Sequence, residues 1–234
     1  MSHKAQDFDN SELTNLSIEE IGEEHLSKAP STPIKPEATA RTDQEKVQLI
    51  QQHFESIMEI LGLDLNDDSL KGTPYRVAKM YVEEIFRGLN PENQPKISLF
   101  DNKYHYDEML IEKNIQVHSH CEHHFLPIEG KAHVAYISSG KVIGLSKIDR
   151  IVEYYAKRPQ VQERLTKQIA DALREALDTD DVAVLIDANH LCVRARGIQD
   201  VGSSTITAEY NGKFKDRDTR NEFLSYVQMK QDTA

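Results

Sequence analysis

An α+β fold is what this sequence predicts, and three observations lead there. Apolar residues recur at helical spacing from Thr42. A strict two-residue alternation then runs from Lys131 to Ser138 and closes on the turn Ser138-Ser139-Gly140-Lys141, the mark of antiparallel sheet. Two more helical periods, one from Ser146 and one after Pro159, precede further strand-like segments, so helices and strands are grouped rather than alternating regularly.

The elements follow in chain order. Residues 1–41 are polar and acidic, with Pro30, Pro33 and Pro36 in a Ser/Thr/Ala-rich stretch, and read as a largely disordered extension with at most a short helix from Ser17 to Leu26. Residues 42–90 read as an N-terminal helical part. Thr42-x-x-Glu45 is a capping-box signature, and Val47, Ile50, Phe54, Ile57 and Leu61 follow on one face until Gly62. A second helix opens at Thr73-Pro74, turns Val77, Met80, Tyr81 and Ile85 inward and stops near Gly88.

Residues 91–234 form the main domain of this reading. Strands are expected at Lys96 to Phe100, Met109 to Val117, Lys131 to Ser138, Val182 to Ile186 and Ser203 to Tyr210. Ser146 followed by Asp149 looks like a helix start, with Ile148, Ile151, Val152 and Tyr155 on its apolar face. After Pro159 a longer helix carries Val161, Leu165, Ile169, Leu173 and Leu177 inward, with Gln162 and Glu163 in its first turn. A short helix from Asn221 to Met229 closes the chain.

Composition removes several classes of function. With 234 residues and 38% hydrophobic content the chain can bury a sizeable core. No run of about 18 apolar residues occurs, so no membrane span is expected. The formal charge of -11 argues against nucleic acid as a partner. That charge is uneven: residues 1–45 hold ten acidic and four basic residues, which leaves the body only mildly acidic and able to hold a local basic pocket.

Chemistry concentrates around the two cysteines. Cys121-Glu122-His123-His124 and His190-Leu191-Cys192 contain both of them, each with a histidine within three positions. A thiolate and an imidazole at C-x-x-H spacing can close on one zinc, with a third ligand from a distant segment. If the second piece is a strand, His190, Cys192, Arg194 and Arg196 share one face. Three ligands would leave an open, catalytic position; Cys121, His124, His190 and Cys192 together would make a closed structural site. Buried inert thiols are the plainer alternative, and a disulfide is disfavoured because no signal peptide precedes them, which also points to the cytoplasm. Ser146, Lys147 and Arg150 share a helix first turn, where cations oppose the helix dipole unless an anion binds. Arg76, alone, reads as a solvated charge.

Four stretches carry a resemblance: TPYRVAKMYVEEIF (73–86), CEHHF (121–125), GLSKIDRIVEYYAKRPQVQERLTKQI (144–169) and HLCVRARG (190–197). In this order they resemble the GTP cyclohydrolase I family over about residues 45–228. The resemblance implies the tunnelling fold, assembled as a homodecamer of two stacked pentamers with active sites between subunits. It implies hydrolysis of GTP at C8 of guanine, release of formate, and ribose rearrangement and ring closure to 7,8-dihydroneopterin triphosphate, the first step of folate and pterin synthesis. It implies one catalytic Zn2+ per subunit on Cys121, His124 and Cys192. His190 and His123 are implied in proton transfer, with His190 the principal donor to the purine, and Ser146 beside the ribose. Glu163 would read guanine with Gln162 next to it, and Arg76, Lys147, Arg150 and Arg196 would hold the triphosphate. Two features depart from the pattern: His118 and His120 are spare imidazoles before Cys121, and Ala208 stands where a hydroxyl is common. No regulatory partner, and no role for residues 1–41, follows from the resemblance.

Overall fold

The computed structural model describes residues 31–35 and 41–229; most of the acidic extension, including the helix expected over Ser17 to Leu26, lies outside the described residues. Helix α1 (Asp43–Ile60) begins as the sequence predicts. Thr42 Oγ1 accepts from the Glu45 N–H and Glu45 Oε2 accepts from the Thr42 N–H at 2.7 Å, which satisfies two of the helix's orphan donors. Its expected apolar face is only partly covered: Val47 and Met58 are buried, but Ile57 is 48% and Leu61 70% exposed. Helix α2 (Thr73–Lys79), with Pro74 in its first turn, continues as a π-helical segment to Ile85, where the Phe86 N–H reaches back to the Tyr81 carbonyl. A cavity of about 1000 Å³ lies among Ile50, Phe54 and Ile57 of α1, Tyr81 and Phe86 of this second element, and Phe125.

Two sheets follow. The larger has five strands in the order β5-β2-β3-β6-β7, with β2 (Met109–Cys121), β3 (Pro127–Ile137), β6 (Val182–His190) and β7 (Thr205–Tyr210) antiparallel and β5 (Pro159–Gln160) parallel to the end of β2. Alternation along β3 is real but serves two cores, because both faces are covered. Ala132, Val134 and Tyr136 pack with Ile148, Ile151 and Val152 of α3 (Leu145–Ala156) and Leu165, Ile169 and Leu173 of α4 (Gln162–Leu177). Ala135 and Ile137 pack on the other face with Phe214 and with Phe223 of a C-terminal helix.

Four expectations need correction. The turn Ser138 to Lys141 does not fold β3 back on itself. Both edges of β3 are already taken by β2 and β6, so the chain leaves the sheet, and β4 (Lys141–Ile143) pairs instead with β1 (Leu99–Asp101) in a separate two-stranded sheet. The first turn of α3 is capped by the backbone of Gly144, whose carbonyl accepts from the Lys147 N–H at 2.8 Å, so Ser146 sits inside the helix and does not cap it. The strand carrying His190 ends there. Its last ladder pair is Ile128↔His190, and with no further ladder to join, residues Leu191–Arg194 coil into the short helix α5. Finally α6 (Arg217–Gln228) starts four residues earlier than expected, because Asp216 caps it through the N–H groups of Asp218 and Thr219.

Gly88 shows how closely the N-terminal part is seated. Its N–H donates to the Lys157 carbonyl, its carbonyl accepts from Arg158 Nε at 2.8 Å, and a Cβ there would lie 2.1 Å from the Tyr154 carbonyl oxygen. This fixes the end of α2's extension against the end of α3, beside the Cys121 turn. Among the described residues no helix is long and apolar enough to cross a membrane.

Candidate metal centre

Sheet register explains why two remote pieces of sequence meet. The first residues of β3 lie between the end of β2 and the end of β6: His120 pairs with Pro127, and Ile128 pairs with Ser119 on one side and His190 on the other. Cys121 and Cys192 therefore emerge at the same end of the sheet. The turn after Cys121 is tight. The Phe125 N–H donates to the Cys121 carbonyl, the Cys121 N–H to the Leu126 carbonyl, both at 2.8 Å, and Phe125 takes φ +53 to close it.

Within this corner the ligand atoms of Cys121, His124 and Cys192 all lie within 4.8 Å of one another, and both cysteines are free. Cys121 is buried, Cys192 half-buried and His124 exposed, so the cluster has one open side. Cys121 Sγ lies 3.9 Å from His124 Nδ1 and 3.6 Å from His123 Nδ1. Burial, and then the adjacent Cys121 sulfur, pushes the Cys192 thiol up to about 11. Two thiols and an imidazole crowded together without a cation are a poor arrangement by themselves. A divalent cation suits them, because it stabilises both thiolates and the neutral imidazole. The same crowding makes inert buried thiols the weaker explanation.

His190 stands beside this cluster but is not part of it. Gln162, at 1% exposure, donates from Nε2 to the carbonyls of Ile186 and Thr205 and to Thr207 Oγ1, so its Oε1 must face His190 Nε2 at 2.8 Å. An amide oxygen only accepts, so neutral His190 carries its proton on Nε2 and leaves Nδ1 as the acceptor. Burial lowers the His190 pKa, opposed by the carboxylate of exposed Glu163. Burial also lowers that of His124, with the Arg196 cation and His123 adding to it. A closed four-ligand site with His190 is therefore not assembled, and Gln162, expected among substrate contacts, has its carboxamide committed within the chain.

The remaining candidates divide by location. His123, Glu163 and Arg196 join the cluster's surroundings. Ser146, Lys147 and Arg150 are not among the cluster's ligand groups: they lie in the first two turns of α3, whose other end, Ala156, leads into β5 beside the end of β2. Arg150 lines a separate polar cleft with Glu112, Gln116, His118 and Lys157. Arg76 is exposed and donates to Thr73 Oγ1 and the Ser69 carbonyl. Among the described residues neither His118 nor His120 belongs to the metal-ligand cluster; His120 instead meets the Phe86 ring edge-on at 5.7 Å. Ala208, paired with Leu185, leaves its neighbour Thr207 to supply the hydroxyl that bonds Thr166 at 2.7 Å.

One participant was missed from sequence. Arg164 of α4 is 5% exposed and grips both carboxylate oxygens of Glu122. A signal was present: an arginine on the buried side of an amphipathic helix requires a buried acid, and Glu122 is the acid inside the cysteine turn.

Comparison with known proteins places these features in context. A family model described as GTP cyclohydrolase I matches residues 50–228. The chain is 62% identical over 212 residues to GTP cyclohydrolase 1 of Flavobacterium johnsoniae, covering 91% of this chain and 95% of that protein. It is 52% identical over 213 residues to the Aeromonas salmonicida protein of the same name (91% and 98% covered), and 51% over 208 residues to that of Citrobacter koseri (88% and 94% covered).

Proposed function

Because the chain belongs to the GTP cyclohydrolase I family, we propose that it hydrolyses GTP at C8 of guanine with a zinc ion held by Cys121, His124 and Cys192. The reaction releases formate and, after ribose rearrangement and ring closure, gives 7,8-dihydroneopterin triphosphate, the first step of pterin and folate synthesis. The convergence of two thiols and one imidazole at a half-open corner carries this reading. Zinc, when bound, supplies a Lewis acid that activates water near neutral pH.

The chain's own groups handle protons and substrate. His190, held by Gln162 with its proton on Nε2, takes a proton on Nδ1 and returns it to the purine, so its role as donor follows a prior uptake. His123, next to the cluster, is the second acid–base group. Glu163 accepts from the guanine ring N–H and exocyclic amine, a bidentate match for a carboxylate. Arg76, Lys147, Arg150 and Arg196 offset the triphosphate charge of about -4, and Ser146 lies at the ribose.

Ser146, Lys147 and Arg150 lie in the first two turns of α3, away from its Ala156 end, and a neighbouring copy supplies them to the site. Active sites then lie between subunits, in the homodecamer of two pentamers that the family resemblance implies. Ligand cysteines kept reduced fit the cytoplasm. The test is a GTP assay on purified protein, following formate and the ultraviolet absorbance of the pterin, with and without chelator and with Cys192→Ala. Zinc-dependent product that both treatments abolish is expected. GTP binding without formate from the zinc-loaded protein would refute the reading.

A further inference from the structure

Both halves of the metal centre are tied to a single helix. The first turn of α4 presents Gln162 to His190 and, two residues on, Arg164 to Glu122. Successive residues of a helix point about 100° apart, so positions 162 and 164 reach different sides and meet different strands. The Gln162 tie serves the β6 piece. The Arg164 tie serves the Cys121 turn, and nothing in the proposed reaction uses it.

Three observations give that second tie its meaning. Arg164 is buried and Glu122 half-buried: the Arg164 side chain is 3% and the Glu122 side chain 12% exposed, with nitrogen–oxygen distances of 2.5 and 3.2 Å across a two-pronged contact. Such a pair contributes little net stability compared with apolar packing, but it fixes direction strongly, because a guanidinium fork fits a carboxylate in one plane. Next, Glu122 lies between Cys121 and His123 in a turn that is held independently by its N–H to the Gln160 carbonyl at 3.0 Å. Gln160, fully buried, donates to Gln168 Oε1 at 2.8 Å, so α4 grips the turn's support a second time, one helical turn beyond Arg164. Lastly, the Glu122 carboxylate lies 3.9 Å from His123 Nε2, so the carboxylate that Arg164 orients also borders the proposed acid–base imidazole.

We infer that Arg164 and Glu122 are positioning residues: the guanidinium holds the Glu122 carboxylate so that the Cys121–His124 turn presents its sulfur and imidazole at the spacing a zinc ion needs. The inference rests on the metal site proposed above. Neither residue touches substrate; each acts through the ligands on either side.

The test measures zinc binding apart from turnover. Full-length wild-type, Arg164→Lys, Arg164→Met and Glu122→Gln/Arg164→Met proteins are stripped of metal. Each is titrated with zinc against a chromophoric chelator, then with cobalt, whose visible absorption reports the ligand geometry. Thermal midpoints and GTP turnover are recorded in parallel. Outer supports of metal ligands typically govern affinity by about 10–100-fold. Arg164→Lys, which keeps the charge but loses the fork, is expected to fold, to weaken zinc by about tenfold, and to lower kcat with little change in KM for GTP. The double variant removes both charges of the pair, so it should recover most of the thermal midpoint lost in Arg164→Met while zinc affinity and the cobalt spectrum stay altered.

A purely structural pair would behave otherwise. Zinc affinity and cobalt spectrum would then follow the thermal midpoint, returning to wild type in the double variant and staying at wild type in Arg164→Lys. Either result overturns the inference. If the wild-type protein itself takes up no zinc, or if Cys192→Ala takes it up unchanged, the metal assignment falls and the inference with it. Wild-type binding matched by equal binding in the Arg164 variants sinks the positioning role alone.

Discussion

Gln162→Leu is the substitution that most sharply separates a buried support from a substrate contact. Leucine has nearly the same volume, so no large cavity opens, but every polar partner of the carboxamide loses it. Those partners are the carbonyls of Ile186 and Thr205, Thr207 Oγ1 and the Nε2–H of His190. The carboxamide has two N–H hydrogens for its three acceptors, so with the His190 bond it makes about three full bonds; at about 1 kcal/mol each, and somewhat more where an orphaned group stays buried, the loss comes to about 4 kcal/mol. That is a large part of the stability of an ordinary domain, about 5–15 kcal/mol. In a chain of this length 1 kcal/mol corresponds to about 2–4 °C, so the midpoint should fall by about 8–16 °C. Measurement by calorimetry at one fixed protein concentration is essential, since association shifts the midpoint. His190 also loses the bond that fixes its tautomer. Placed acid–base groups contribute about 10²–10⁴ in rate, so kcat should drop by at least about 100-fold in the folded fraction, with KM for GTP changed far less. A midpoint within about 2 °C of wild type, or a rise in KM at unchanged kcat, would refute the reasoning and return Gln162 to the substrate.

Two further outcomes follow from geometry already described. Burial holds the imidazoles of His133, His120 and His190 below their ordinary value of 6.5, and for His133 the neighbouring cations Lys113 and Lys131 add to it while Asp187 opposes. The unfolded chain thus takes up protons before the folded one. Stability is fully present above about pH 6.5 and is lost as pH falls through the depressed folded values. Thermal midpoints recorded from pH 8 to 5 should show this decline, and His133→Gln should make it shallower; an unchanged slope counts against the assignment. The second outcome concerns assembly. Arg150→Ala and Cys192→Ala proteins, each nearly inactive, should regain up to about a quarter of wild-type activity when dissociated, mixed equally and reassembled, because a site shared by two copies can draw one intact half from each. Complete failure of the reassembled mixture to turn over GTP would show that both residues serve the same chain's site.

Much of this could be read from residues alone, for identifiable reasons. Thr42 and Glu45 announce their capping box locally, and the alternation along β3 marks it as a strand, though not that both of its faces are covered. What escaped depends on neighbours far along the chain. Ser138 to Lys141 specify a turn but not which strand accepts the chain after it, and that was decided by β2 and β6 occupying both edges of β3. His190 to Arg196 have strand-like parity, yet the ladder ends at His190, and a backbone without a ladder closes its own hydrogen bonds. Ser146 and Asp149 have capping chemistry, but the backbone of Gly144 serves the α3 start. The grouping of Cys121, His124 and Cys192 was legible because two cysteines, each with a nearby histidine, are rare. Arg164 was not, since a charged helix residue is normally solvated and only its burial gives it away.

The register that joins β3 to β6 also sets an order of events in time. Cys121, His123 and His124 leave the ribosome together, long before Cys192, and the first three can form only a fragmentary, weakly held site. Cys192 reaches them when β6 has zipped onto β3 as far as the Ile128↔His190 rung, the last of that ladder. On the zinc reading proposed above, a nascent or partly folded chain is thereby kept from sequestering metal in a wrong partnership, and tight zinc uptake would signal that the central ladder has closed.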